Sequence, residues 1–218
     1  MKTTLTPWLV PLLWTGLLAA TPETPELQRK FTWVDADDAA AVDIRKIAEP
    51  VIQQTGGRML SEVNRVIARK GAEAGIDDLH LKDAKLPPAA AGQPRVTAIK
   101  RTSLRVRNSA NLPDNADLAA LMSIQSAMAD GNTPPPLLVQ RLEASGNTPA
   151  EWRVYRPLVT NASCLVCHGP SDVIAPGVLA KLERLYPEDK AKGYAANEWR
   201  GVIRVSIVPA DSTPAKNP

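Results

Sequence analysis

Aromatic side chains are scarce in this sequence: one Phe, three Tyr and five Trp among 218 residues. Trp8 and Trp14 fall within the first twenty residues, leaving fewer still for a folded core. A core so poor in rings would gain from a large apolar group packed into it. Two cysteines are too few for a disulfide-stapled scaffold. No apolar run approaches the roughly 20 residues that span a bilayer. No block of Lys or Arg stands out, which speaks against nucleic acid as a partner. What the chain does have is 44% apolar residues and a net charge of only +3. That balance excludes disorder throughout and suits one globular domain.

The first twenty residues have the layout of a secretory signal peptide. Lys2 supplies a positive start, Trp8 to Leu18 an apolar run broken by Pro11, and Leu18-Ala19-Ala20 small residues for cleavage ahead of Thr21-Pro22-Glu23. A retained membrane anchor competes with this reading, but a run of about a dozen residues is short for one. No cysteine follows the run, so it offers no lipoprotein anchor. Cleavage would remove Lys2 and lower the net charge from +3 to +2. The expected compartment is the periplasm, with no stable membrane insertion after signal removal.

The sequence divides into a signal peptide (1–20), an N-terminal linker (21–34), one domain (35–209) and a disordered tail (210–218). Residues 35–70 read as helix, with Val42, Ile44, Ile47, Val51, Met59, Val63, Val66 and Ile67 at helical spacing. Pro50 and Gly56-Gly57 are expected to kink or divide it, and Gly71 to cap its end. A short helical piece, Gly75 to His80, follows, then a Pro-rich loop over 83–94. Residues 95–107 have the makings of strands. Asp114 is placed to cap a helix over 115–128, with Leu118, Leu121, Met122 and Met128 near one face. Two strands, 137–143 and 151–159, flank the turn signal Ser145-Gly146-Asn147. A short helix over 176–186 and a last strand over 201–209 complete the pattern. In that strand Ile203, Val205 and Ile207 alternate with Arg204 and Ser206. The fold class is α+β: a long N-terminal helix, then an antiparallel sheet with helices inserted.

Cys164-Leu165-Val166-Cys167-His168 carries the chemistry. This is the attachment pattern of a c-type haem. Two thiols at this spacing can add across the two vinyl groups on one edge of a porphyrin, and the following His is carried under the ring to bind the iron axially. Export agrees with it, since covalent haem attachment in bacteria occurs outside the cytoplasm. A thioredoxin-like Cys-x-x-Cys would need a βαβ frame that the preceding residues do not show. A disulfide across two residues constrains little, and a zinc site would have only His80 and carboxylates left as further ligands. One haem c attached through Cys164 and Cys167, with His168 as axial ligand, is therefore the expected cofactor. Lys100, Arg101, Arg105 and Arg107 are candidate partners for its propionates, against the plainer reading of a solvated basic stretch.

Several strings then resemble, in order, a family of exported single-haem c proteins with a PAS-like sensor fold. They are Arg101-Thr-Ser-Leu-Arg-Val-Arg107-Asn108-Ser-Ala-Asn111-Leu-Pro113-Asp114, Tyr155-Arg-Pro157-Leu158, the haem motif extended to Gly169, Tyr186-Pro187, Gly193-Tyr194 and Arg200-Gly201. The resemblance spans residues 35–209. It implies a PAS-like antiparallel sheet with a long N-terminal helix and inserted short helices, and haem c bound against the sheet. It also implies a redox or gas sensor that passes a conformational change to a separate signalling partner.

One departure matters. In the best-known members the second axial ligand is a cysteine, and the matching position here is Leu79, beside His80. No third cysteine exists, so His80, a methionine (Met59, Met122 or Met128) or an open site takes that place. An open site would admit small diatomic ligands. The functional expectation is a periplasmic monohaem c-type cytochrome acting as a redox or small-ligand sensor. The alternatives are a soluble electron-transfer cytochrome with a redox partner protein and a haem peroxidase-like enzyme, for which no catalytic residue can be named.

Overall fold

Five segments of alternating apolar residues build one antiparallel sheet in the computed structural model, which describes residues 29–79 and 85–210. The expected signal peptide, His80 and residues 211–218 of the tail lie outside the described residues. The strands are β1 (Phe31–Val34), β2 (Arg95–Thr102), β3 (Leu138–Leu142), β4 (Glu151–Val159) and β5 (Trp199–Val208), in the order β1-β3-β4-β5-β2. The helices are α1 (Ala39–Gly75), α2 (Asn115–Ala129), α3 (Ala162–His168) and α4 (Pro176–Leu185). The class is mixed α+β, as expected.

Successive strand residues point to opposite faces, and both faces are covered. On one, Ala41, Ile44, Ala48 and Ile52 of α1 pack on Trp152 and Val154 of β4 and on Ile203, Val205 and Ile207 of β5. On the other, Ala120, Leu121 and Ile124 of α2 cover Tyr155 and Val202. Pro157 lies in β4 beyond Tyr155, the last residue that pairs with β3, so the strand there has a neighbour on one side only. That is where a residue without an N–H is tolerated.

The structure corrects several expectations. Helix α1 runs through Pro50 and Gly56-Gly57, and its one non-helical residue is Gly71, at φ 77°. An interior proline costs about 3 kcal/mol. Burial of Ile44 and Ile52, at about 1.5–3 kcal/mol each, offsets it. The expected linker 21–34 ends in β1, which pairs with β3 from Phe31↔Leu142 to Val34↔Val139. Just before it, the buried Arg29 donates to the carbonyls of Glu143 and Pro149. On α2 the expected face is rotated: Leu118, Met122 and Met128 are exposed, while Ala116, Asp117, Ala120, Leu121 and Ile124 are buried. A buried carboxylate holds that orientation.

Asp117 is that carboxylate, with a fully buried side chain. Asp114 caps α2, accepting from the Asp117 N–H at 2.9 Å. Asp117 meets Arg204 at 3.0 Å, Arg153 at 3.3 Å and Lys100 at 3.0 Å, and Arg153 also binds Asp114 at 2.6 Å and Glu151 at 2.6 Å. Arg204 and Ser206, which alternate with the apolar residues of the last strand, are both buried, Arg204 by this network.

Gly201 is the tightest backbone contact in the sheet. It sits at φ 148°, and a Cβ there would come 2.4 Å from the Thr102 carbonyl oxygen. Gly201→Ala is expected to cost about 1–3 kcal/mol through backbone strain alone, with further loss as β2 and β5 are pushed apart. A urea denaturation midpoint equal to that of the parent would contradict this.

Candidate functional site

Helix α3 begins at Asn161, whose side chain accepts from the N–H groups of Ser163 at 3.0 Å and Cys164 at 3.3 Å. Asn is a favoured N-cap because its oxygen satisfies donors that the first turn leaves free. The short helix carries Cys164, Cys167 and His168 together to one wall of a cavity of about 360 Å³, within the roughly 300–1,000 Å³ range of ligand pockets. Met59, Leu60, Val63 and Ile67 of α1 form an apolar wall, and the ends of β2, β4 and β5 close the cavity with Arg101, Leu158 and Arg200. Arg107 also lines it, and no carboxylate does among the described residues.

A second segment fixes His168. The ring Nδ1 lies 2.7 Å from the Ala191 carbonyl oxygen, so Nδ1–H donates there and Nε2 keeps the lone pair. The Gly193 and Tyr194 N–H groups donate to the carbonyls of Gly169 at 2.7 Å and His168 at 2.9 Å. Burial, with the positive Arg107 and Arg200 nearby, pushes the His168 pKa down to about 3. The imidazole is thus neutral at pH 7, the form that ligates a metal. Burial pushes the Cys167 thiol up, against the pull of Arg107.

Arg107 ties the two segments together. It donates to the Cys167 carbonyl and pairs with Asp189 at 2.9 Å. Asp189 in turn accepts from the Ala191 N–H at 2.8 Å.

The four basic residues singled out in sequence separate here. Lys100 reaches Asp117 on the opposite face of the sheet. Arg105 lies over the Tyr194 ring at 3.9 Å and pairs with Glu198 at 3.3 Å. Arg107 is held by Asp189. Among the described residues Arg101 has only the Met59 sulfur, at 3.0 Å, and burial pushes its pKa down to about 10, with Arg200 adding to the effect. Met122 and Met128 stand on the exposed side of α2, whereas Met59 lines the cavity. Leu79 lines it as well, and His80, the next residue, lies outside the described residues.

Sequence reasoning missed the Ala191 carbonyl, Asp189, and the roles of Tyr194 and Arg200. A backbone acceptor leaves no trace in side-chain identity. Asp189 resembles any surface acid until Arg107 is brought to it.

Among the described residues no three His, Cys, Asp or Glu side chains converge to hold a metal ion by themselves. An α+β chain with a half-buried neutral histidine and two thiols on one cavity wall is the class that fold and site define. A family model, Tll0287-like, matches residues 58–208, and the chain belongs to that family. Among solved structures, the cyanobacterial heme-protein Tll0287 matches with 18% sequence identity and a TM-score of 0.40, covering 72% of this chain and 96% of that one. No curated protein matches this chain.

Proposed function

We propose that this protein is a periplasmic monohaem c-type cytochrome of PAS-like fold that serves as a redox or small-ligand sensor. The observation carrying the reading is that Cys164, Cys167 and His168 face one cavity together, with the imidazole neutral. The donor set fits the group. Two thiols can take the vinyl groups as thioethers, and the Nδ1–H···O=C bond to Ala191 orients the imidazole and raises the basicity of Nε2. The apolar wall of Met59, Leu60, Val63 and Ile67 would pack on the ring and keep water from it. Membership of a family that bears the name of a heme-protein adds support. Bound haem would supply one-electron chemistry at its iron. This chain's residues supply anchorage, axial ligation and charge.

Export rests on residues 1–20, whose pattern is that of a signal peptide. For the second axial position, His80 is the first choice because it follows Leu79, which lines the cavity. Met59, the cavity-lining methionine, is the second. An electron carrier acting on a redox partner protein uses the same residues and differs in that reduction leaves its shape unchanged and a partner accepts its electron quickly.

The test is an optical spectrum of the haem-loaded protein, oxidised and reduced, before and after carbon monoxide. Prompt binding by the reduced form is the outcome expected of a small-ligand sensor. A low-spin spectrum that ignores carbon monoxide overturns that branch and leaves redox sensing or electron transfer. His80→Ala then identifies the ligand: an unchanged low-spin spectrum rules out His80.

A further inference from the structure

Resting on the haem reading, we propose that Arg101 and Arg200 form a carboxylate clamp in the cavity, taking the two propionates of the bound haem and holding its redox potential up by their charge. Strand register separates Arg101 from its basic neighbours. Arg101 pairs with Ile203 and Lys100 with Arg204, so Arg101 is on the α1 side of the sheet and Lys100 on the α2 side. The clamp residues come from neighbouring strands at the same end of the sheet, where Gly201 lets β5 approach Thr102 closely.

Neither guanidinium has a carboxylate paired with it among the described residues, the partner such a group ordinarily has when half-buried, although Arg200 also bonds the Tyr194 side chain and feels the charge of Asp189. Arg101 offers five N–H donors and donates to one weak acceptor, the Met59 thioether. Arg200 donates to the Arg105 carbonyl at 3.0 Å and lies over the Tyr194 ring at 5.2 Å. Among the described residues neither is in an ion pair, whereas Arg107, the third guanidinium lining the cavity, is neutralised by Asp189. Among the described residues the wall therefore carries two guanidiniums in no ion pair and no lining acid, with only the Asp189 already paired to Arg107 acting on Arg200 from beyond it. Two like charges in an apolar enclosure repel and are poorly solvated. A haem brings two carboxylates, which offset those charges with charge-assisted hydrogen bonds. Neutralising the propionates in this way would favour the ferrous state, which carries one positive charge less than the ferric.

The test is a redox titration of exported, haem-loaded Arg101→Gln and Arg200→Gln, with Arg184→Gln on the exposed side of α4 as the control for lost charge. Each clamp variant is expected to lower the equilibrium constant for one-electron reduction at least tenfold, which is 59 mV. Arg184→Gln changes it less than twofold. Arg101→Lys and Arg200→Lys keep the charge and recover most of the midpoint. Clamp variants that carry haem with midpoints within twofold of the parent overturn the clamp. If the glutamine variants do not accumulate, the full chain with Cys164→Ala and Cys167→Ala decides it by its affinity for added haem and for haem dimethyl ester. At least tenfold weaker binding of the ester is expected, and equal affinity overturns the clamp. Parent protein that contains no haem overturns the haem reading itself, a result separate from either of these.

Discussion

His168→Ala is expected to leave haem attached through Cys164 and Cys167 while abolishing the low-spin spectrum of the oxidised protein. The imidazole is held as an axial donor by its surroundings: Nδ1 bonded to Ala191, burial and nearby arginines keeping the ring neutral, Nε2 free to ligate. Its loss should turn the iron high-spin and move the midpoint by something on the order of 0.1 V or more, since axial-ligand identity spans about 0.8 V in haem proteins. Added imidazole should restore much of the low-spin spectrum, because the mutation leaves a space of that shape. An optical redox titration of parent and variant reads all of this. A variant whose spectrum matches the parent would show that His168 does not hold the iron.

The second large effect concerns stability. Asp117→Ala is expected to cost about 3–5 kcal/mol, the range for removing one member of a buried ion pair. It would leave Arg204, Arg153 and Lys100 with uncompensated positive charge beneath α2, since Asp114 and Glu151 cannot balance all three. Burial opposes ionisation of Asp117, and the three cations override it, holding its pKa below the ordinary carboxylate value. A carboxylate with a depressed folded-state pKa contributes stability above its unfolded value of about 3.9 and loses it as pH falls through the folded one. The gap between parent and Asp117→Ala in urea denaturation should therefore be full at pH 7 and narrow below about pH 4. A gap below 1 kcal/mol at pH 7 would contradict the role given to the network.

Much of this fold was legible in the sequence because its strands alternate and its caps are strong. The helix after Asp114 begins where the sequence placed it, since Asp114 and Asp117 form a capping box. The last strand alternates as read, with Val205 and Arg204 on opposite faces. What periodicity could not give was how each element is rotated. On α2, an apolar stripe of Leu118 and Met122 suggested the wrong face, because the orientation is set by Asp117 and its three cations. On α1, Pro50 looked like a break, but it stands exposed while the stripe on its other side packs on the sheet. β1 is only four residues long, too short for its alternation to stand out from a linker.

At the site, the local motif was legible and the distant support was not. Cys164, Cys167 and His168 lie within five residues, so their spacing alone was enough to place them together on one wall of the cavity. Ala191 lies 23 residues beyond His168 in the chain and acts through a backbone oxygen. Choosing among Lys100, Arg101, Arg105 and Arg107 required strand register and the positions of Asp117, Asp189 and Glu198. Arg200 emerged only when β5 brought it beside Arg101.

The intact mass of the exported protein in denaturant tests the central claim most directly. The expected result is the mass of the chain cleaved after Ala20 plus one haem that denaturant and acid-acetone do not remove, and its loss in Cys164→Ala with Cys167→Ala. A bare chain mass from cells equipped to attach haem, with both thiols free or joined as a disulfide, would contradict it.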